Sequence, residues 1–132
     1  MGWSIRLLLD TPALLWWWTD DARLLSSART AIANPRNDVF ISAASAWEIA
    51  TKHRLGKLHE AADAVTRFDE LILADGFTQL PILAAHALRA GCYDVDHRDP
   101  FDRILAAQSE LERMPLVTVD PAFRLFGTET LW

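Results

Sequence analysis

Leu7-Leu8-Leu9 is an apolar run with no polar alternation. A strand of that kind must be covered on both faces, which points to a parallel sheet flanked by helices. A second such run, Leu116-Val117-Thr118-Val119, lies near the other end of the chain. Both runs stop at an aspartate, Asp10 and Asp120. In open parallel sheets ligands bind beyond the carboxyl ends of strands, so the two acids are expected on the working edge.

The residues between the runs alternate in the same sense. Ser4 to Leu9 reads as a strand, with Thr11 as helix cap, Pro12 as first helical residue and Ala13 to Trp18 as helix. Ser26 or Ser27 would cap a second helix, which Asn34-Pro35 stops. Asp38 to Ser42 is β-branched and aromatic, hence a strand, and Ala43 to Leu55 a helix closed by Gly56. Ala61 to Ala74, Leu83 to Ala90 and Asp102 to Arg113 read as further helices. Phe77 to Leu80 and Thr130 to Trp132 read as short strands. The expected fold is α/β, a three-layer α/β/α sandwich on a mostly parallel central sheet, with residues 1–132 forming one domain.

More acids come from the helices. Glu48 stands in Ala43-Ala44-Ser45-Ala46-Trp47-Glu48-Ile49-Ala50, a stretch that otherwise faces a core. Asp99 and Asp102 share a helical face by their spacing of three. Each acid also has an ordinary reading. Asp10 and Asp120 can be turn formers, Glu48 an i,i+4 partner of Lys52, Asp99 an N-cap and Asp102 a first-turn acid favoured by the helix dipole. Taken together they describe carboxylates converging on one pocket, where mutual repulsion calls for protons or cations. Oxygen-only donors suit hard cations, Mg²⁺ or Mn²⁺. Such ions assist in-line displacement at phosphate, which is nuclease chemistry.

The formal net charge of −5 disfavours a nucleic-acid partner until the cluster is counted. Thirteen Lys and Arg face eighteen Asp and Glu, and the surplus of five can be offset locally by metal. Cys92 is the one cysteine, which excludes an internal disulfide and a Cys-rich zinc site and suggests a core filler in a reducing cytosol. Neither the Ile5 to Leu9 run nor Trp16-Trp17-Trp18 is long enough for a targeting segment or membrane span, so a cytoplasmic protein is expected. The three tryptophans point about 100° apart on a helix, so at least one is expected to be exposed, as a protein interface.

Four blocks now stand in order: Leu7-Leu8-Leu9-Asp10-Thr11, Ser42 to Ile49, His97-Arg98-Asp99-Pro100-Phe101-Asp102-Arg103 and Leu116-Val117-Thr118-Val119-Asp120. In these the chain resembles the PIN-domain toxins of VapC type over nearly its whole length. The resemblance implies an endoribonuclease dependent on Mg²⁺ or Mn²⁺, a homodimer, and a small antitoxin encoded beside it. It assigns Asp10, Glu48, Asp102 and Asp120 to catalysis, with Asp10, Asp102 and Asp120 on metal. Asp99 is then an auxiliary acid or a cap, and Thr11 and Thr118 are supporting hydroxyls. Pro12 departs from the His frequent at that position, which affects specificity before catalysis.

Lys52, Arg54, Arg98 and Arg103 flank the acids, as do His53 and Lys57, and either guide RNA, pair with antitoxin carboxylates or form a solvated face. His97 is a candidate general acid or an ordinary surface histidine. Two rivals remain. A phosphate-transfer domain of haloacid dehalogenase or receiver type also has Asp after its first strand, but the dehalogenase type needs a second Asp where Pro12 stands. The receiver's preceding acids and late Lys are not evident. An inactive PIN-like binding module would need no intact acids.

Overall fold

The computed structural model describes residues 4–58 and 62–132. Five strands form one sheet in the order β3-β2-β1-β4-β5: β1 Arg6–Leu9, β2 Asp38–Ser42, β3 Thr78–Leu80, β4 Leu116–Val117 and β5 Thr130–Leu131. All four pairings are parallel, so the sheet is more uniform than expected. The chain winds outward from β1 to β3 on one side, then returns to build β4 and β5 on the other. The order therefore reverses beside β1. That switch point, outside the carboxyl ends of β1 and β4, is where an open α/β sheet leaves a crevice.

The unbroken leucines of β1 explain the layers. Side chains alternate across a strand, so Leu7 and Leu9 enter one core and Leu8 the other. The first core is closed by helices α1 (Thr11–Trp18), α2 (Ser26–Ala33), α3 (Ala43–Arg54), α4 (Ala62–Thr66) and α5 (Phe68–Ala74), through Leu14, Ile32, Ile49, Ala64 and Ile72. The second is closed by α6 (Ala84–Cys92), α7 (Pro100–Glu112) and a 3₁₀ segment at Pro121–Phe126, through Ala90, Leu105 and Phe123.

Several local expectations shift. Asp10, not Thr11, caps α1, its Oδ1 accepting from the Ala13 N–H at 2.8 Å. Pro12 is thus second in the helix, where its missing donor still costs nothing. Neither Ser26 nor Ser27 caps α2; Leu25 precedes it without a side-chain cap, and Ser27 Oγ donates to the Trp132 carbonyl instead.

The helix expected over Ala61 to Ala74 has its first residue outside the described range and breaks at Arg67. There Thr66 Oγ1 donates back to the Ala62 carbonyl, a competition with the helix ladder that bends helices. Gly56 follows α3 in the left-handed conformation, as the stop signal required. Cys92 is exposed, not a core filler.

None of the three tryptophans is fully exposed, against expectation. Each ring leaves α1 in a different direction and finds an aromatic neighbour: Trp16 on Trp132, Trp17 on Phe77, Trp18 on Phe68. Among the described residues no helix is long and apolar enough to cross a membrane.

Candidate active site

Asp10 leaves β1 at the switch point and is 3% exposed. Its carboxylate is held at both oxygens: Oδ1 by the Ala13 N–H, and Oδ2 by Thr118 Oγ1, which donates at 2.5 Å from the end of β4. Thr118 Oγ1 also accepts from the Asp120 N–H, 3.0 Å away. A carboxylate that caps a helix ordinarily keeps a low pKa. Asp10 does the opposite and is raised to about 7, because burial outweighs its hydrogen bonds and Asp102 and Glu48 add repulsion.

Asp102 sits in the first turn of α7 and is raised to about 6, chiefly by burial, with repulsion from Asp99 and Glu48. His97 Nε2 lies 2.8 Å from its Oδ2 and opposes that rise. Asp99 is the cap of α7, its Oδ1 accepting from the Phe101 and Asp102 N–H groups. Glu48, 4% exposed on α3, is paired with Lys52 Nζ at 2.5 Å. One turn earlier on that helix, Ser45 accepts from Thr11 Oγ1 at 3.0 Å in a buried contact that fastens α1 to α3. Ser45 was not singled out in the sequence, although its spacing of three from Glu48 puts both on one helical face.

Three of the expected acids, Asp10, Glu48 and Asp102, are therefore close enough to repel one another. Asp120 is placed differently. It is exposed, its Oδ1 caps the 3₁₀ segment through the Ala122 N–H, and it is linked to Asp10 only by way of Thr118. Thr118 supports the site as expected, whereas the Thr11 hydroxyl is turned to Ser45.

The basic residues divide sharply. Arg54 and Arg98 are exposed. Lys52 is engaged by Glu48. Arg103 is half-buried, and its guanidinium donates to the carbonyls of His97, Ala90, Tyr93 and Val95, binding the connection between α6 and α7.

The donor set consists of carboxylate oxygens whose charge burial makes costly, and it fits a hard divalent cation. Among the described residues no three His, Cys, Asp or Glu side chains already converge as a metal cluster. Each acid instead meets a donor of the chain itself: Thr118, Lys52 or His97. Beside the acids opens a cleft of about 250 Å³, lined by Thr11, Pro12, Leu15, Trp16, Lys52 and Leu58, with Asp21 and Arg23 at its polar side.

A parallel α/β/α sheet with buried acids at its switch point puts the candidate site where open α/β folds bind their ligands. The PIN domain family model matches residues 7–128, and the chain belongs to that family. This disposes of the dehalogenase and receiver alternatives. The chain is 34% identical over 65 residues to the ribonuclease VapC16 of Mycobacterium tuberculosis, an alignment covering 49% of this chain and 46% of that protein. The chain thus spans about half the length of that relative.

Its fold is similar to the crystal structure of VapBC2 from Rickettsia felis bound to a DNA fragment from their promoter, with a TM-score of 0.66 and 14% identity. That match covers 97% of this chain and 98% of the other. Both likenesses agree with the VapC-type resemblance of the sequence.

Proposed function

We propose that this PIN domain is an endoribonuclease dependent on Mg²⁺ or Mn²⁺ and acts as the toxin of a toxin–antitoxin pair. The observation that carries the reading is Asp10, a helix cap whose pKa is driven up to about 7 by burial and by two neighbouring acids. Folding concentrates negative charge there at a cost to stability, as sites built for cation chemistry do. A divalent cation would supply Lewis acidity for phosphodiester hydrolysis when bound.

The chain's own residues set up the rest. Thr118 and the Ala13 N–H fix both oxygens of Asp10, so its orientation is settled before any ligand arrives. Asp102 and Glu48 complete the acidic wall, with Asp120 at its margin, and His97 and Lys52 hold two of these acids. Lys52 and His97 would each have to give up its carboxylate for these acids to hold a metal. His97, 2.8 Å from Asp102 Oδ2, is the candidate general acid of this reading.

The partners in this reading are RNA, a small antitoxin and a second copy of the chain, in the cytoplasm. The named relatives support it, one by its name as a ribonuclease and one through its fold, which is that of a chain in a VapBC2 complex. Incubation of purified protein with total RNA, with and without Mn²⁺, followed by mapping of cut ends, is the direct test. Metal-dependent cleavage that disappears in Asp10→Asn and in Asp102→Asn is expected. An inactive binding module would leave RNA intact under every condition.

A further inference from the structure

The connection from Tyr93 to Asp99 has neither helix nor strand, and Arg103 fixes its backbone, reaching the His97 carbonyl at 2.7 Å. An anchored backbone still leaves the half-buried His97 ring a choice of rotamers. Two contacts make that choice. Nε2 lies 2.8 Å from Asp102 Oδ2, and the ring stands edge to face on Phe126, with centroids 5.5 Å apart and planes at 88°.

Phe126 is the fixed member of the pair. It is buried in the second core and meets two further rings, Tyr93 at 4.9 Å and Phe123 at 6.3 Å. A buried ring with two other aromatic partners can orient a half-buried imidazole, whereas the imidazole has only Phe126 and Asp102 to orient it.

Phe126 also closes the six-residue 3₁₀ segment that Asp120 caps. At the start of that segment the Asp120 N–H is bonded to Thr118 Oγ1, which donates to Asp10. One short segment is thus tied to Asp10 at one end and, through Phe126 and His97, to Asp102 at the other.

We propose that Phe126 is a positioning residue of this site: its ring sets the His97 imidazole against Asp102, and cleavage depends on the ring through His97. The proposal rests on the ribonuclease reading above, and two measurements keep the fates of the two apart.

The first is RNA cleavage with Mn²⁺. Rates fall steeply when a group at the reacting centre is misplaced, so Phe126→Leu should lower kcat about tenfold with KM little changed. Phe126→Tyr, which keeps the ring, should recover most of the loss. In a His97→Gln background Phe126→Leu should cost nothing further, because residues that act as one unit are not additive. Phe126→Met, which fills the space without a ring, takes the place of Phe126→Leu should that variant fail to fold.

The second needs no activity. The His97 ring resonances, assigned by their absence in His97→Gln, are recorded in chelator at one pH. Asp102→Asn should shift them in the natural background and hardly at all once Phe126 is Leu.

No cleavage by the natural protein defeats the ribonuclease reading and the dependence of cleavage on the ring, and the resonances then decide the placement alone. An unchanged kcat in Phe126→Leu, losses from Phe126→Leu and His97→Gln that multiply, or a His97 response to Asp102→Asn that is the same with and without the ring overturns the positioning role.

Discussion

Thr118 Oγ1 donates to Asp10 Oδ2 at 2.5 Å across 108 positions of sequence, joining the ends of β4 and β1 where the sheet order reverses. The same oxygen accepts from the Asp120 N–H, so one threonine orients one acid and anchors the backbone of another.

Thr118→Val keeps the shape and removes both bonds. Since the Thr118 hydroxyl lowers the pKa of Asp10, its loss should push that pKa above about 7. Leaving buried partners unpaired should also cost about 1–3 kcal/mol of stability. We expect the rising limb of the pH–rate profile to move to higher pH in Thr118→Val and to stay in place in Thr118→Ser. Profiles that coincide for all three proteins would remove Thr118 from the site.

Metal-free stability should depend on pH in the direction opposite to that of a salt-bridged carboxylate. The pKa of Asp10 is 3.8 ordinarily and about 7 when folded, so between those values the folded state holds more protons than the unfolded. Stability therefore falls as pH rises through this window, by as much as roughly 4 kcal/mol for Asp10. Asp102, raised to about 6, acts in the same sense. Asp21, lowered to about 2, titrates below this range.

Thermal unfolding in chelator at pH 5.5, 7 and 8 should show the decline in the natural protein and much less of it in Asp10→Asn. Mn²⁺ should restore the loss at pH 8 only where Asp10 is intact, because a ligand of the folded state stabilises it by mass action. Equal metal shifts in both proteins would mean that the ion binds elsewhere.

Much of this was legible in the sequence because it follows from periodicity and position. Leucines without alternation required a sheet covered on both sides, and an acid after such a strand had to lie on its working edge. What could not be read was which of two compatible roles a residue performs. Arg103 beside an acid reads as an RNA contact or part of a solvated face, and its bracing role needs the tertiary path of residues 90–97, which brings four carbonyls around it.

The tryptophans show the same limit. Their angular spread was predictable, but the distant rings of Phe68, Phe77 and Trp132 that receive them were not. Asp10 shows that the two readings are compatible, since it caps α1 and is still crowded by burial and by Asp102 and Glu48.

Arg103 supplies a prediction that separates brace from RNA contact. Lys cannot reproduce a planar fork reaching four acceptors. Arg103→Lys should therefore lose about 2–4 kcal/mol in denaturant unfolding. It should also impair cleavage, because the held segment carries His97, the partner of Asp102. Arg54→Ala and Arg98→Ala, both at exposed positions, should leave stability unchanged and weaken RNA binding in a salt-dependent way. Full stability in Arg103→Lys with selective loss of RNA affinity would return this residue to the substrate.

The cleft at Thr11 and Lys52 bears on how the proposed ribonuclease would be held inactive. It is lined by Leu15, Trp16 and Leu58 and reaches Thr11 and Lys52, the latter paired with Glu48. An antitoxin segment that seats an apolar side chain against Trp16 could bring an arginine to Glu48 or Asp102. The planar guanidinium matches a carboxylate bidentately and would take the place of a metal.

Only Trp16 of the three tryptophans lines this cleft, while Trp17 and Trp18 pack on Phe77 and Phe68. Trp16→Ala should thus weaken the complex by at least about tenfold, the effect of losing a central aromatic anchor. Trp17→Ala and Trp18→Ala should lower thermal stability instead. Co-expression with the proposed antitoxin, purification, and titration with Mn²⁺ test the arrangement: binding should weaken as metal is added and when Glu48 or Asp102 is neutralised. A complex that ignores Mn²⁺ and survives Trp16→Ala with full affinity would place the inhibitor on another face and leave the acidic site to RNA alone.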